Sequence, residues 1–281
     1  MSWIPFGAEA DAHATLVDGT PDWMLNSLQE RFDDEFSGPP SYSGYREPRV
    51  ERMRRFELEA RMRPLAQILA SKTPSAVWNI LSESERLRVF DWIVRDNVTN
   101  REGGNDELER VLREGGSRWK VGVRGSAPGL EERVPQGVQD AAEAVMVLPG
   151  NSGRLLSEAW HATYGLNPQP DLGYRKAVEA VEAAVLPKVM PKDDTATLGK
   201  AIGQMRAQGD WRLPFVKEHA QNPSQDVILG LLQALWSGHS DRHPGTASYL
   251  ESTREAAEAA VSIAVTVVNL FNNGGVARRP K

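Results

Sequence analysis

The sequence predicts a mostly α-helical protein with one small β-hairpin. Apolar residues recur every third or fourth position along most of the 281 residues, as they do on one face of a helix. Several of these stretches begin with a serine or threonine at a helix-start position. Alternating patterns typical of strands occur only near residues 119–134. The chain is long enough for two domains, and its 40% hydrophobic and 25% charged residues are ordinary for a globular protein.

The N-terminal part, residues 1–150, is predicted to be a helical domain. Thr20 and Pro21 form a helix start, with Thr20 as the N-cap. The helix that follows carries an apolar stripe at every fourth residue: Met24, Leu28, Phe32 and Phe36. Residues 37–48 contain three prolines and two glycines and are predicted to be a loop. Residues 50–70 form a long helical stretch that Pro64 kinks or divides.

Shorter elements complete this domain. A helix follows Thr73, and a capping box of Ser82 and Glu85 begins the next. Residues 106–114 form a helix that ends at two glycines. The hairpin then pairs residues 119–123 with residues 130–134, across a turn that contains glycine and proline.

The C-terminal part, residues 151–281, begins at the boundary sequence Pro149-Gly150-Asn151-Ser152-Gly153 and is predicted to be entirely helical. An antiparallel bundle is the simplest way to bury the apolar faces of five helices. The five predicted helices are residues 155–164, 174–185, 195–206, 227–236 and 248–271. The tail from Arg278 to Lys281 is expected to be frayed.

Composition restricts the cellular setting and the partners. The chain has no cysteine, which excludes disulfides and thiolate metal sites and is compatible with a reducing cytoplasm. The N-terminus lacks the pattern of a secretory signal, and the longest apolar run, residues 259–271, is too short to span a bilayer. We therefore expect a cytoplasmic protein without a membrane partner. No nucleotide-binding glycine motif is present, so no cofactor is expected.

Charge is distributed unevenly along the chain. The net charge is −5, with 19 basic and 25 acidic residues in 1–150 against 14 and 13 in 151–281. A polyanion would therefore meet the C-terminal part more readily. Six arginines crowd residues 49–63, but glutamates stand four positions before several of them. This spacing predicts a solvated helix face with ion pairs Glu51–Arg55, Glu57–Arg61 and Glu59–Arg63.

The densest group of chemically versatile side chains lies in residues 236–245, between two predicted helices. It contains His239, Asp241, Arg242 and His243. Polar clusters on loops between rigid helices are common binding and catalytic sites, although a helix-ending turn with solvated side chains is the alternative. The two histidines are spaced for zinc on a helix, but Pro244 disfavours a helix there and no third ligand is near, so no metal site is predicted.

Several segments of the C-terminal part resemble the abortive-infection C-terminal domain of the HEPN superfamily, in the order in which that family has them. Residues 170–182 resemble its first-helix pattern, Tyr-x-x-Ala-Ile-x-Ala-Val-Glu, and residues 195–202 resemble its Thr-Leu-Gly-x-x-Ile segment. Residues 241–245 stand where the family has Arg-His-Gly, and residues 255–271 resemble its closing helix. More loosely, the first 150 residues are similar to AbiJ-type domains.

The resemblance implies a HEPN-like helical bundle that forms a homodimer and acts in antiphage defence as a metal-independent ribonuclease. In that role Arg242 would hold a phosphate and His243 would transfer the proton, with His239 and Asp241 tuning them. RNA is the implied partner. The candidate RNA-binding residues are Arg175 and Lys176, within the first-helix motif.

One departure from the family pattern keeps other functions open. HEPN ribonucleases usually place the histidine four to six residues after the arginine, whereas Arg242 and His243 are adjacent. The first alternative is a non-catalytic module that mediates dimerisation or interaction. The second is a phage or prophage structural protein. In each case the N-terminal domain would contact a protein partner that the sequence does not identify.

Overall fold

A computed structural model describes residues 15–96, 104–124, 127–238 and 251–279. The described residues form twelve helices and three two-stranded antiparallel sheets, so the mostly helical fold class is confirmed. The chain divides into two compact units, Met1–Arg133 and Val134–Lys281. Among the described residues, no helix has both the length and the apolar character needed to cross a membrane.

The first unit contains six helices and two hairpins. The strands are β1 (Ser37–Pro40), β2 (Arg46–Pro48), β3 (Trp119–Arg124) and β4 (Ala127–Glu132). Strand β1 pairs with β2, and β3 pairs with β4 in a register that sets Trp119 opposite Glu132. The helices are α1 (Asp22–Phe36), α2 (Val50–Ala60), α3 (Ala66–Ser71), α4 (Pro74–Trp78), α5 (Glu83–Asp96) and α6 (Gly104–Glu114).

Aromatic side chains form much of the core of this unit. The four-residue stripe of α1 is fully buried, as its spacing predicts. Phe32 of this stripe packs 4.8 Å from Phe36 and 5.4 Å from Trp78, between ring centroids. The capping box that begins α5 is confirmed: Ser82 N donates to the Glu85 carboxylate, and Glu85 N donates to the Ser82 hydroxyl.

Several local predictions for the first unit need correction. Helix α1 begins at Asp22 without a side-chain cap, and the backbone N–H of Thr20 donates instead to the Glu83 carboxylate at 2.6 Å. The predicted loop 37–48 contains the short β1–β2 pair, so the 119–134 hairpin is not the sole β-structure. The expected break in residues 50–70 is confirmed: α2 ends at Ala60, the next residue, Arg61, has a left-handed conformation, and α3 begins at Ala66.

The second unit is a helical assembly with one short strand pair, β5 (Trp211–Arg212) with β6 (Ala277–Arg278). Its helices are α7 (Gln136–Met146), α8 (Asn151–Tyr164), α9 (Pro170–Val189), α10 (Leu198–Gln208), α11 (Ser224–Gly238) and α12 (Arg254–Asn272). All five helices predicted for this part are present, with somewhat different ends. Helix α7 was not predicted.

Helix α9 is central to the second unit. Small and β-branched residues of α9 are buried against its neighbours: Gly173, Ala177, Val178, Ala180, Val181, Ala184 and Val185. Gly173 lies close against α8, since a Cβ at this position would be 2.3 Å from the Thr163 hydroxyl oxygen. Near the other end of α9, the Lys188 ammonium donates to the carbonyl of Phe271 in the last turn of α12.

The ends of this unit differ from the sequence-based expectation. Helix α7 buries Ala142 and Val145 in the core of the second unit, so the division lies before α7 rather than at Pro149–Gly153. The tail was expected to fray from Arg278, but this residue pairs with Trp211 across the β5–β6 ladder. The Asp210 carboxylate accepts hydrogen bonds from both Nε and Nη2 of Arg278, at 2.9 and 2.7 Å, which holds Arg278 in place.

Candidate functional site

The proposed catalytic residues His239, Asp241, Arg242 and His243 lie outside the described residues. The segments that flank them are described, and both contact the first two turns of α9. The Tyr174 hydroxyl donates to the carbonyl of Leu235, near the end of α11, at 3.0 Å. The backbone N–H of Ser252, just before α12, donates to the Asp171 carboxylate at 2.7 Å.

Tyr174 is placed to hold the end of α11. Its side chain is buried, and burial raises the pKa of its hydroxyl, which therefore remains protonated and a donor at neutral pH. A Cβ on Gly238, the last residue of α11, would lie 2.4 Å from that hydroxyl. The described residues on either side of positions 239–250 therefore both contact the N-terminal part of α9.

Lys176 lies on this same part of α9 and bridges two helices. Its ammonium lies 2.8 Å from the Glu179 carboxylate on α9 and 3.1 Å from the Glu158 carboxylate on α8. Hydrogen bonds to Glu179 and then to Glu158 raise the pKa of Lys176 above its ordinary value. Since 23% of the side chain is exposed and two carboxylates already hold its charge, Lys176 is better suited to joining helices than to binding RNA.

Arg175 has a different environment from its neighbour. Its guanidinium lies 3.8 Å from Glu179, one helical turn away, and 59% of the side chain is exposed. An exposed pair at this distance contributes little to stability and is easily exchanged for another anion. Of the two predicted RNA-binding residues, Arg175 is therefore the one whose charge is accessible to a phosphate.

Other ion pairs surround this end of the unit. Arg154 pairs with Glu158 on α8, and Arg254 lies 2.8 Å from Glu258 on α12. Each of these arginines faces a carboxylate one turn further along its own helix, so the local charge is close to balanced. The described part of this surface is consequently much less basic than a typical nucleic-acid-binding surface.

Sequence reasoning missed the residues that organise this end of the unit. Tyr174 appeared only as part of the family-like motif, and Asp171 received no role. Glu179 stands three and four positions after the two cations, a spacing that predicts pairing within a helix. Glu158, by contrast, comes from another helix, and no local pattern shows its proximity to Lys176.

The arginine-rich stretch in the first unit also differs from its prediction. Instead of pairing with Glu51, Arg55 lies 2.5 Å from Asp96, and the Arg63 guanidinium lies 3.0 Å from Glu85. Arg52 is only 14% exposed and contacts two carboxylates from other helices, Glu35 and Asp96. The predicted partners of Arg55 and Arg63 are therefore wrong, and Arg52 is buried. Arg54, Arg55 and Arg63 are 56%, 47% and 46% exposed, as the predicted solvated face requires.

These charges form a chain of ion pairs that starts inside the unit and reaches its surface. We call it the Arg31 network; its members, in order of contact, are Arg31, Glu35, Arg52, Asp96 and Arg55. The guanidinium carbons of Arg52 and Arg55 also lie 4.9 and 5.3 Å from the ring centroid of Trp92. Stacking on an aromatic face adds attraction to the ion pairing.

Within the part of the chain that the structure describes, no three histidine, aspartate or glutamate side chains are grouped so as to hold a metal ion.

Comparison with known proteins adds no assignment: no family model, no curated protein and no solved structure matches the chain.

Proposed function

We propose that the second unit binds RNA and cleaves it without a metal ion, as an antiphage effector of the HEPN type that its sequence resembles. The observation that supports this proposal is the anchoring of both flanks of the 239–250 segment on α9. Tyr174 holds the end before the segment, and Asp171 holds the end after it. The helix that holds both flanks also carries the exposed Arg175.

The residue types in this cluster suit RNA chemistry. RNA supplies its own nucleophile in the 2′-hydroxyl, so a protein needs only to move protons and to stabilise charge on the phosphate. In this proposal His243 removes or delivers the proton, since a histidine can do both near neutral pH. Arg242 holds the phosphate with its planar guanidinium, and Arg175 contacts a neighbouring phosphate. His239 and Asp241 adjust the protonation of His243.

The test is cleavage of total RNA by the full chain in the presence of a chelator. We expect wild type to cleave and His243→Ala to lose at least about a hundredfold in rate, the scale of general acid–base catalysis. His219→Ala is the matched control, since this histidine lies in the same unit, is exposed and stands outside the cluster in the sequence. If His243→Ala cleaves RNA at the wild-type rate, the catalytic assignment of His243 is wrong.

A non-catalytic interaction module is the second candidate, and one observation favours it. The described cations at this end of the unit, including Lys176, already contact carboxylates of the same chain. A surface balanced in this way is better suited to a protein partner, including a second copy of the chain, than to a polyanion. RNA that is neither cleaved nor bound by wild type, together with a stable dimer in light scattering, would favour this candidate.

A further inference from the structure

Helix α2 and the residues just after it lie along α5 in the first unit, and arginines line the outer edge of this contact. Side chains meet across it in antiparallel order: Arg55–Asp96, Arg95–Glu59, Arg88–Met62 and Arg63–Glu85. The contact covers residues 85–96 of α5, which is about 16 Å of helix. We call the exposed arginines along it the arginine seam: Arg54, Arg55, Arg61, Arg63, Arg88 and Arg95.

The arginine seam has more positive charge than its ion pairs neutralise. Three of its members pair with glutamates: Arg54 with Glu51, Arg95 with Glu59 and Arg63 with Glu85. Arg55 shares Asp96 with the mostly buried Arg52. Arg61 and Arg88 are exposed, and neither pairs with a carboxylate in the part of the chain that the structure describes. Arg88 donates instead to a thioether, which is a weak acceptor.

The carboxylates beside the seam also serve the fold. Several of them accept a hydrogen bond from an uncharged donor of the chain: Glu57 from Ala66 N, Glu59 from Trp92 Nε1 and Glu85 from Ser82 N. These internal donors offset part of the negative charge. The guanidinium groups of Arg61 and Arg88 have no comparable internal partner among the described residues, so positive charge is left for a partner outside the chain.

Arg61 has a backbone conformation that is unusual for arginine. It follows the last residue of α2 with φ 51° and ψ 47°, in the left-handed region. Among the described residues it is the one non-glycine with a positive φ. Glycine is the usual residue at this position, because a Cβ is strained there. An exposed arginine in this conformation costs stability without making a contact that offsets it, so an external partner is the better explanation for its side chain.

The chemistry of the seam favours a protein as that partner. Leu58 is 76% exposed and lies between Arg54 and Arg61 in the sequence of α2, so an apolar side chain stands among the cations. A nucleic-acid backbone would leave it uncovered. Residues 46–96 also contain ten arginines and one lysine, and protein interfaces are enriched in arginine and depleted in lysine. Guanidinium groups bind carboxylates through paired donors.

We propose that the arginine seam binds an acidic segment of a protein, whose carboxylates pair with Arg61 and Arg88 and whose apolar side chain covers Leu58. The length of the seam matches about three turns of a helix or about five residues of a strand. This gives a chemistry to the protein partner expected for the N-terminal part of the chain. The proposal does not depend on RNA cleavage, because the seam lies in the other unit.

The experiment is fluorescence polarisation of a labelled acidic decapeptide, Glu-Glu-Leu repeated three times and followed by Glu, titrated with the full chain at low ionic strength. We expect saturable binding by wild type and none of the same peptide with glutamine in place of glutamate. The double variant Arg61→Gln with Arg88→Gln should bind the acidic peptide at least about tenfold more weakly. Leu58→Ser should bind it about threefold more weakly, since it removes the apolar contact.

The matched control is the double variant Arg110→Gln with Arg113→Gln, which removes the same charge from exposed positions on α6 of the same unit. It should bind the peptide as wild type does. The proposal is overturned if wild type does not bind the acidic peptide saturably, or if the folded seam double variant binds it as tightly as wild type.

Two further measurements complete the test. Arg61→Gly fits the left-handed position, so its Tm should not fall below that of wild type, while its peptide binding should weaken several-fold. Unchanged binding by this variant would also overturn the proposal. A labelled ten-nucleotide RNA should bind the Arg61/Arg88 double variant as it binds wild type. If the double variant loses affinity for the RNA and not for the peptide, the seam is a nucleic-acid site and the proposal is wrong.

Discussion

Two groups of ion pairs, one in each unit, show how differently the same residue types behave. In the first unit, Glu35 is buried between Arg31 and Arg52, and the chain of pairs continues to the surface through Asp96. In the second unit, Lys176 lies between Glu158 and Glu179, all of them partly exposed. The sequence did not predict this difference: it placed Arg52 on a solvated helix face and gave Lys176 a binding role.

The difference lies in where the partners come from. Arg52 and its partner Asp96 are 44 positions apart, and Glu35 belongs to a third helix, so packing of α1, α2 and α5 determines the burial. Lys176 and Glu179 are one turn apart on a single helix, where solvent reaches both. Removal of a charge should therefore have a large effect in the first group and a small one in the second, because water replaces an exposed partner but not a buried one.

The largest expected effect is that of Glu35→Ala. This change leaves Arg31 without its ion-pair partner inside the unit and removes one of the two carboxylates of Arg52. We expect the free energy of unfolding to fall by about 3–5 kcal/mol, the usual result of breaking a buried pair from one side. Urea denaturation of the full chain, followed by tryptophan fluorescence, measures it.

Two controls make this comparison specific. Glu30→Ala removes an exposed glutamate from the same helix and should change the unfolding free energy by less than about 0.5 kcal/mol. Glu179→Ala removes a partner from the second group, where Lys176 keeps Glu158, and should cost no more than about 1 kcal/mol. Similar losses for Glu35→Ala and Glu179→Ala would show that burial does not separate the two groups.

A smaller difference in unfolding free energy is expected between substitutions of the two neighbouring cations of α9, Arg175 and Lys176. Lys176→Met should lower the unfolding free energy by about 1 kcal/mol, because it removes the bridge between α8 and α9. Arg175→Met should change it by less than about 0.5 kcal/mol while weakening the binding of a labelled RNA. Fluorescence polarisation at two salt concentrations measures that binding. Unchanged RNA affinity in Arg175→Met would remove this residue from the proposed site.

These comparisons also show how far the sequence determines the structure. Features set by residues close in sequence were predictable: the buried stripe of α1, the Ser82–Glu85 capping box and the division of residues 50–70 near Pro64. Features set by distant partners were not, because periodicity contains no information about them. The β5–β6 pair joins residues more than sixty positions apart, and helix α7 has too few buried residues to show a clear stripe.

The same reasoning applies to the candidate site. The local spacing of Glu179 predicts that Arg175 and Lys176 are paired on their own helix, but Glu158 and the flanks of the 239–250 segment reach α9 only through tertiary packing. The buried environment of Arg31 likewise depends on helices α1, α2 and α5 together. A reader of the sequence could therefore identify the charged residues without being able to rank them by exposure.

The smallest effect is expected at the ion pair of Asp210 and Arg278, whose side chains are 22% and 56% exposed. Hydrogen bonds from Arg278 lower the pKa of Asp210 below its ordinary value of 3.8. The ion pair therefore contributes its full stability at any pH above 3.8. That contribution falls as the pH drops below 3.8, and it is lost once the pH is below the lowered pKa of Asp210. Amide exchange at Arg279, whose N–H donates to the carbonyl of Asp210, reports this loss. In Asp210→Asn the exchange should already be fast at pH 6 and should show no acid transition of its own. A wild-type Arg279 amide that stays protected after Asp210 is protonated would show that the β5–β6 ladder holds the tail without the ion pair.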